Sequence, residues 1–419
     1  VVLADDSVSD LHRAFAQEIK MPIVALHHSS EINQVLHSVA RVAPAPGVPD
    51  GHSVIVAARE LGVEICSELE LAYRFEQRRA SGPRPMVGIT GTDGKTTTTL
   101  MAAAIIESAG LRTLAVGNTD IPLISALDTD SQAFAVECSS FRLAHIQQFR
   151  MRASAWLNFA PDHLNWHPNL SDYFAAKAKM WAHCIEGDVA VAPVDDQQIV
   201  SIAQASKARV VTFGVEVGDY HATEGWLCGP MGRIMPISDM GRSLPHDVTN
   251  ALAATAVCLE SGLATAEDVS RALHNFVNAP HRIQYVGEKG GVRWFNDSKA
   301  TSPHAVSVAL KSFESIVLIA GGRNKGLDLS ALADYPSRMR AVVAIGDAAD
   351  EVAGAFSEVC EVRSATTMQE AVNMAGDIAQ RGDVVLLSPG CTSYDWYANY
   401  GQRGEDFMKC VGKLLSSKE

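Results

Sequence analysis

Short apolar runs alternate along most of the chain with stretches whose apolar residues recur at helical spacing. MVGIT (86–90), AFAV (133–136), IVLIA (316–320) and VVLL (384–387) are strand-length and apolar throughout, as strands covered on both faces must be. ELELAYRFEQRRA (68–80), TTLMAAAIIESAG (98–110) and SDYFAAKAKMW (171–181) carry the helical pattern. The alternation predicts an α/β fold with mainly parallel sheets. Two polar breaks containing Pro, SGPRP (81–85) and NAPHR (278–282), divide the chain into three blocks: 1–82, 83–279 and 280–419. Past the second break, Gly290 and Gly291 mark a hairpin turn between IQYVGEK and VRWFND.

Composition removes several function classes. Lys plus Arg number 35 against 48 Asp plus Glu, and a net charge of −13 offers no cationic footprint for nucleic acid. No apolar run approaches the roughly 20 residues needed to span a bilayer. The eight cysteines are scattered without a CxxC pair, which reads as reduced thiols in a cytoplasmic protein rather than a disulfide frame or zinc site.

The strongest chemical signal is Thr90-Gly91-Thr92-Asp93-Gly94-Lys95-Thr96-Thr97, set between the strand MVGI and a helix. Glycines let backbone amides turn toward a phosphate, and the helix N-terminus adds partial positive charge. Lys95 is placed to reach the β/γ phosphates and Thr96 to ligate Mg²⁺. The spacing departs from a general P-loop, since Ile89 stands five positions before Gly94. Glu137 follows the strand AFAV, where a nucleotide's metal needs an oxygen ligand, although a lone strand-end glutamate is as readily structural. Taken alone, Lys177 reads as a solvated helix lysine and Arg282 as one half of a structural ion pair.

The loop TGTDGKTT resembles that of the Mur ligase family, the ATP-dependent amide-bond-forming enzymes of peptidoglycan assembly with their folylpolyglutamate synthetase relatives. ECSSF (137–141), LNFAPDHL (157–164), YFAAK (173–177), PHR (280–282), NDSKAT (296–301), GGRNKGLD (321–328), LSPGCTS (387–393) and the ending YDWYANYGQRGEDF (394–407) resemble its further motifs in order. The resemblance covers essentially the whole chain. It implies a Rossmann-like N-terminal domain, a central P-loop ATPase-like domain with a parallel sheet, and a Rossmann-like C-terminal domain. The opening strand VVLADD lacks a preceding strand and Gly-rich turn, so a βα unit of about 20–40 residues is expected before it.

The same resemblance implies roles. Gly91, Thr92, Asp93, Gly94, Lys95, Thr96, Thr97, Arg282 and Asp297 would bind ATP. Thr96, Glu137, His163 and a carbamate on Lys177, formed from CO₂, would hold two Mg²⁺ ions. Lys95, Glu137, His163, Lys177 and Lys299 would carry the catalysis. Asp5, Asp6, Pro46, Gly47, Asn118 and Ser139 would bind a UDP-linked substrate, and Thr301, Lys325, Ser393, Tyr394 and Tyr400 the acceptor. Within the family, NDSKATS, PHRIQ and the ending point to the branch that adds D-glutamate to UDP-N-acetylmuramoyl-L-alanine through an acyl phosphate. Tyr394 and Tyr400 stand where that branch has leucine- and phenylalanine-like residues, which implies a more polar pocket. Asn165 stands where the family has aspartate. An L-glutamate acceptor, a folylpolyglutamate synthetase and a non-catalytic partner are the alternatives. A monomer without nucleic-acid or membrane partners is expected.

Overall fold

Five consecutive buried residues, Met86–Thr90, form the strand around which the first half of the protein is built. The computed structural model describes residues 1–26, 28–164 and 166–416, so Asn165 lies outside the described residues. The chain divides into two compact units, one comprising Val1–Ser243 with Asp247–Phe276, the other Leu244–His246 with the chain from Val277 onward.

In the first unit a six-stranded, all-parallel sheet runs in the order Arg209–Phe213, Val189–Pro193, Ala153–Trp156, Met86–Thr90, Ala133–Glu137, Thr113–Gly117. The strand order reverses direction at Met86–Thr90, and such a switch point opens a crevice at the strands' C-terminal ends. Met101, Ile105 and Ile106 of the helix Lys95–Ser108 pack with Ala251–Cys258 of the helix Pro245–Glu260 on one sheet face. Leu69 and Ala72 of the helix Glu68–Glu76 join Phe134, Trp156 and Trp181 on the other.

The first eighty residues are therefore part of the same compact unit as the central sheet, joined by buried charge. The Glu70 carboxylate accepts from the backbone N–H groups of Gln147, Gln148 and Phe149 and from Arg74. Those donors outweigh the cost of burial and hold its carboxyl below the usual range. Arg84 pairs with Glu76 through two nitrogens and donates to the carbonyls of Leu127, Thr129 and Ser131. Ahead of these anchors lie two short parallel strand pairs, Leu3–Asp5 with Ile23–Ala25 and Arg41–Val42 with Glu64–Ile65. A three-stranded antiparallel meander over His221–Thr223, Trp226–Gly229 and Gly232–Pro236 has no counterpart in the sequence reading.

The second unit has a six-stranded sheet in the order Gln284–Lys289, Val292–Asn296, Val384–Gly390, Ile316–Gly321, Met339–Ile345, Glu361–Ala365. Only the first pair is antiparallel, turning at Gly290 and Gly291 as expected. All eight cysteines are free. Among the described residues no helix is long and apolar enough to cross a membrane.

Candidate active site

Three adjacent central strands deliver the loop Gly91–Gly94, Glu137 and Asn158 to one end of the sheet. Gly94 caps the helix Lys95–Ser108 at φ 78°, and a Cβ there would collide with the Asn250 carboxamide, so the loop requires glycine. Asn158 shapes the loop from below: its Oδ1 accepts from the N–H groups of Thr92 (3.0 Å) and Asp93 (2.9 Å), and its Nδ2 donates to the Asp93 carbonyl. The Thr92 hydroxyl lies 3.2 Å from the Tyr173 hydroxyl and accepts from the Ala160 N–H. Lys95 curls over this frame, donating to the carbonyls of Gly91 (2.9 Å) and Thr92 (2.7 Å).

Glu137 is buried at its strand end, and both carboxylate oxygens are engaged. Oε2 accepts from the Thr96 hydroxyl at 2.7 Å and Oε1 from the Asn118 amide at 3.0 Å. The neighbouring Ser139 hydroxyl is buried and, among the described residues, has no hydrogen-bond partner. His163 adopts φ 55°, in the left-handed region that non-glycine residues seldom occupy, between the rings of Phe141 and Tyr173 and 3.3 Å from Asp162. Close by, His167 meets the Ser140 hydroxyl at 2.9 Å, and burial pushes its imidazole down to about 4.

Lys177 occupies the floor of the site with only 1% of its surface exposed. Its Nζ donates to the Gly91 carbonyl at 2.6 Å and lies 4.7 Å from the centre of the Tyr173 ring. Among the described residues no carboxylate forms an ion pair with it. Burial first, and the like charge of Lys95 second, drive its ammonium well below the ordinary lysine range. The sequence alone suggested a solvated lysine here; the fold turns that helix face inward.

In the second unit the three segments NDSKAT, GGRNKG and LSPGCTS lie side by side at the ends of neighbouring parallel strands. Asp297 accepts from the Ser388 hydroxyl (2.7 Å) and the Ile283 N–H (3.1 Å), while its own N–H donates to Leu387. Arg323 and Thr392 exchange backbone hydrogen bonds. Lys299 is half-buried, its ammonium 3.8 Å from the centre of the Tyr400 ring. Ser393 is buried, whereas Lys325 and Tyr394 are exposed; Thr301 and Arg282 are half-buried. Arg403 is a connector that the motif reading did not single out. Buried without a carboxylate ion pair among the described residues, it donates to the Ser298 hydroxyl and to the carbonyls of Ser298 and Cys391.

Four of the positions expected to bind the UDP-linked substrate lie on the first block. Asp5 accepts from the Ser7 N–H, Asp6 pairs with His52 at 2.8 Å, and Pro46-Gly47 forms an exposed turn. Asn118 and Ser139 lie instead beside Glu137. Asn158, Arg142 and Asn250 were not assigned roles from sequence. Asn158 stood inside a recognised motif, but the other two offered no local signal.

A Gly-rich strand-to-helix loop and a buried strand-end carboxylate at one end of a parallel sheet, with a desolvated lysine beneath the loop, define a nucleotide-dependent transferase or ligase site. The Mur ligase middle domain matches residues 89–258 and the Mur ligase glutamate ligase domain matches residues 281–391, and the chain belongs to the Mur ligase family. Similar relatives are the UDP-N-acetylmuramoylalanine–D-glutamate ligases of Frankia casuarinae, 37% identical across 89% of this chain and 80% of that protein, and of Pelotomaculum thermopropionicum, 35% identical across 99% and 92%. Among solved structures, UDP-N-acetylmuramate-alanine ligase MurC from Thermotoga maritima (TM-score 0.61, 20% identity, 100% of this chain and 94% of that one) shares the fold. So does MurF from Acinetobacter baumannii (TM-score 0.63, 18% identity, 97% and 90%).

Proposed function

We propose that this protein is an ATP-dependent ligase that joins D-glutamate to UDP-N-acetylmuramoyl-L-alanine. The observation that carries the reading is the convergence of Lys95, the Thr96–Glu137 pair and the desolvated Lys177 on one loop. The choice of substrates rests on the relatives' names. In the reaction, a carboxylate oxygen of the UDP-linked substrate attacks the γ-phosphorus and ADP departs, giving an acyl phosphate. The amine of D-glutamate then attacks the acyl carbon, the C–O bond breaks, phosphate leaves with the electron pair, and the amine gives up a proton.

Each residue has a part. The amides at the N-terminus of Lys95–Ser108 and the Lys95 ammonium hold the phosphates as charge moves onto the leaving oxygen. The Thr96 hydroxyl and Glu137 carboxylate are hard oxygen donors, and they fit Mg²⁺. Among the described residues no three His, Cys, Asp or Glu side chains cluster into a metal cage. Mg²⁺ needs none, since it keeps waters and phosphate oxygens as ligands, and when bound it supplies charge neutralisation between phosphate and carboxylate oxygens. The depressed pKa favours the neutral amine of Lys177, which can add CO₂, forming an N–C bond and releasing a proton, so that a buried amine becomes an anionic oxygen donor. His163 is the further candidate ligand. Asp297 and Arg282 serve the nucleotide. Lys299, Thr301, Lys325, Ser393, Tyr394 and Tyr400 serve the amino acid, whose two carboxylates call for cationic and hydroxyl partners.

The deciding experiment measures phosphate release with ATP, UDP-N-acetylmuramoyl-L-alanine and, in turn, D-glutamate, L-glutamate and meso-diaminopimelate. Release is expected only with D-glutamate and only when both substrates are present. Equal or better kcat/KM with L-glutamate would overturn the acceptor assignment. For the carbamate, Lys177→Ala is expected to be nearly inactive and partly rescued by acetate, and ¹³CO₂ is expected to give a carbamate carbon resonance that Lys177→Ala lacks.

A further inference from the structure

Behind Glu137 runs a line of polar side chains that no step above uses. Arg142, buried in the short helix Ser140–Leu143, donates from one terminal nitrogen to Asn118 Oδ1 at 2.7 Å. Asn118 Nδ2 in turn donates to Glu137 Oε1 at 3.0 Å, and the other carboxylate oxygen accepts from Thr96. On its far side Arg142 Nε lies 3.2 Å from Glu68 Oε2, within ion-pair range but outside hydrogen-bond alignment; Glu68 Oε1 accepts from the Ile124 N–H at 2.7 Å. Burial raises the Glu68 carboxyl above its usual range, and the Arg142 charge works against that rise.

The direction of this line is dictated by chemistry. A guanidinium has donors and no acceptor, and an ionised carboxylate has acceptors and no donor. An amide placed between them satisfies both in one orientation only, oxygen toward Arg142 and nitrogen toward Glu137. Asn118 is itself exposed, so without Arg142 its side chain is free to turn over or swing into solvent. From this geometry we infer that Arg142 is a positioning residue: acting through Asn118, it fixes the Glu137 carboxylate in the orientation that presents an oxygen to the metal beside Thr96. The inference rests on the proposed reading of Glu137 as a metal ligand. Glu68 holds Arg142 in place and balances its charge.

The test follows Mn²⁺ binding to the protein with a non-hydrolysable ATP analogue, by electron paramagnetic resonance, alongside thermal melting. Arg142→Met, which keeps the length but removes the donor, is expected to weaken Mn²⁺ binding about tenfold, the scale seen when a partner that orients a metal ligand is lost. Arg142→Lys is expected to recover part of the loss, because an ammonium also demands the amide oxygen. In turnover, the half-saturating Mg²⁺ concentration is expected to rise while KM for D-glutamate stays within twofold. If Arg142→Met does not fold, Arg142→Gln decides, since a glutamine accepts either amide orientation and is expected to lie between lysine and methionine. Folded Arg142→Met that binds Mn²⁺ within twofold of wild type would overturn the inference. Glu137→Gln separates the two levels: if it binds Mn²⁺ normally, the reading of Glu137 fails; if it alone loses Mn²⁺, only the role of Arg142 falls.

Discussion

Lys177 and Lys299, one in each compact unit, meet opposite surroundings. Lys177 is sealed beneath the Gly-rich loop with a backbone carbonyl and a ring face as company, and it is driven toward the neutral amine. Lys299 is half-buried with its ammonium against the face of the Tyr400 ring, a cation–π contact. On the proposed reading, the same residue type reacts as a nucleophile in one place and meets an anion in the other. Burial, rather than the motif around it, makes the difference, since an ammonium loses far more hydration when sealed beneath a backbone loop than when half-buried against a ring.

Lys95→Ala breaks the comparison most severely, because it removes both the phosphate partner and the like charge facing Lys177. Ligation is expected to fall more than a hundredfold, about 3 kcal/mol or more, with unchanged circular dichroism. Activity within threefold of wild type would sink the loop's assignment. Asp297→Ala probes the other sheet: a buried Ser388 hydroxyl and the Ile283 N–H lose their acceptor, which costs about 1–3 kcal/mol by chemical denaturation along with most of the activity.

Lys177→Met in CO₂-free buffer tests desolvation itself. The folded-state pKa lies below the ordinary 10.5, so the unfolded chain binds the extra proton and wild-type stability rises with pH until 10.5 is passed. The melting advantage of Lys177→Met over wild type is therefore expected to be largest near neutrality and to shrink as pH approaches 10. A pH-independent difference would argue for packing instead. The smallest effect belongs to Tyr400. Tyr400→Phe keeps the ring face and is expected to change KM for D-glutamate less than threefold, whereas Tyr400→Leu gives up the cation–π contact, about 0.5–2 kcal/mol.

These regions differ, too, in how far the sequence disclosed them. Gly94, Lys95 and Thr96 act through spacing along a single turn, so the loop was readable, as were the parallel strands on either side. NDSKAT was readable for the same reason. The contacts that set protonation and orientation were not: Asn158 reaches Thr92 across 66 positions, Arg142 reaches Asn118 across 24, and Lys177 reaches Gly91 across 86. Periodicity reports which face of an element is apolar, but Lys177 lies in a helix whose pattern leaves it on either side. The antiparallel meander at 221–236 escaped because its strands are short and half-exposed, with a bulge between Leu227 and Cys228.

Arg84 with Glu76, and Glu70 with its three backbone donors, also bear on how the chain survives damage. Both anchors draw partners from either side of the polar break at 81–85, yet neither depends on that peptide being intact. A single cut between Arg78 and Gly82 would leave Glu70 and Glu76 on one fragment and Arg84 with the Gln147–Phe149 donors on the other. The two pieces are expected to elute together under native conditions and to part only in denaturant. The break that punctuates the sequence is thus a seam in the polypeptide that buried ion pairs and hydrogen bonds cross.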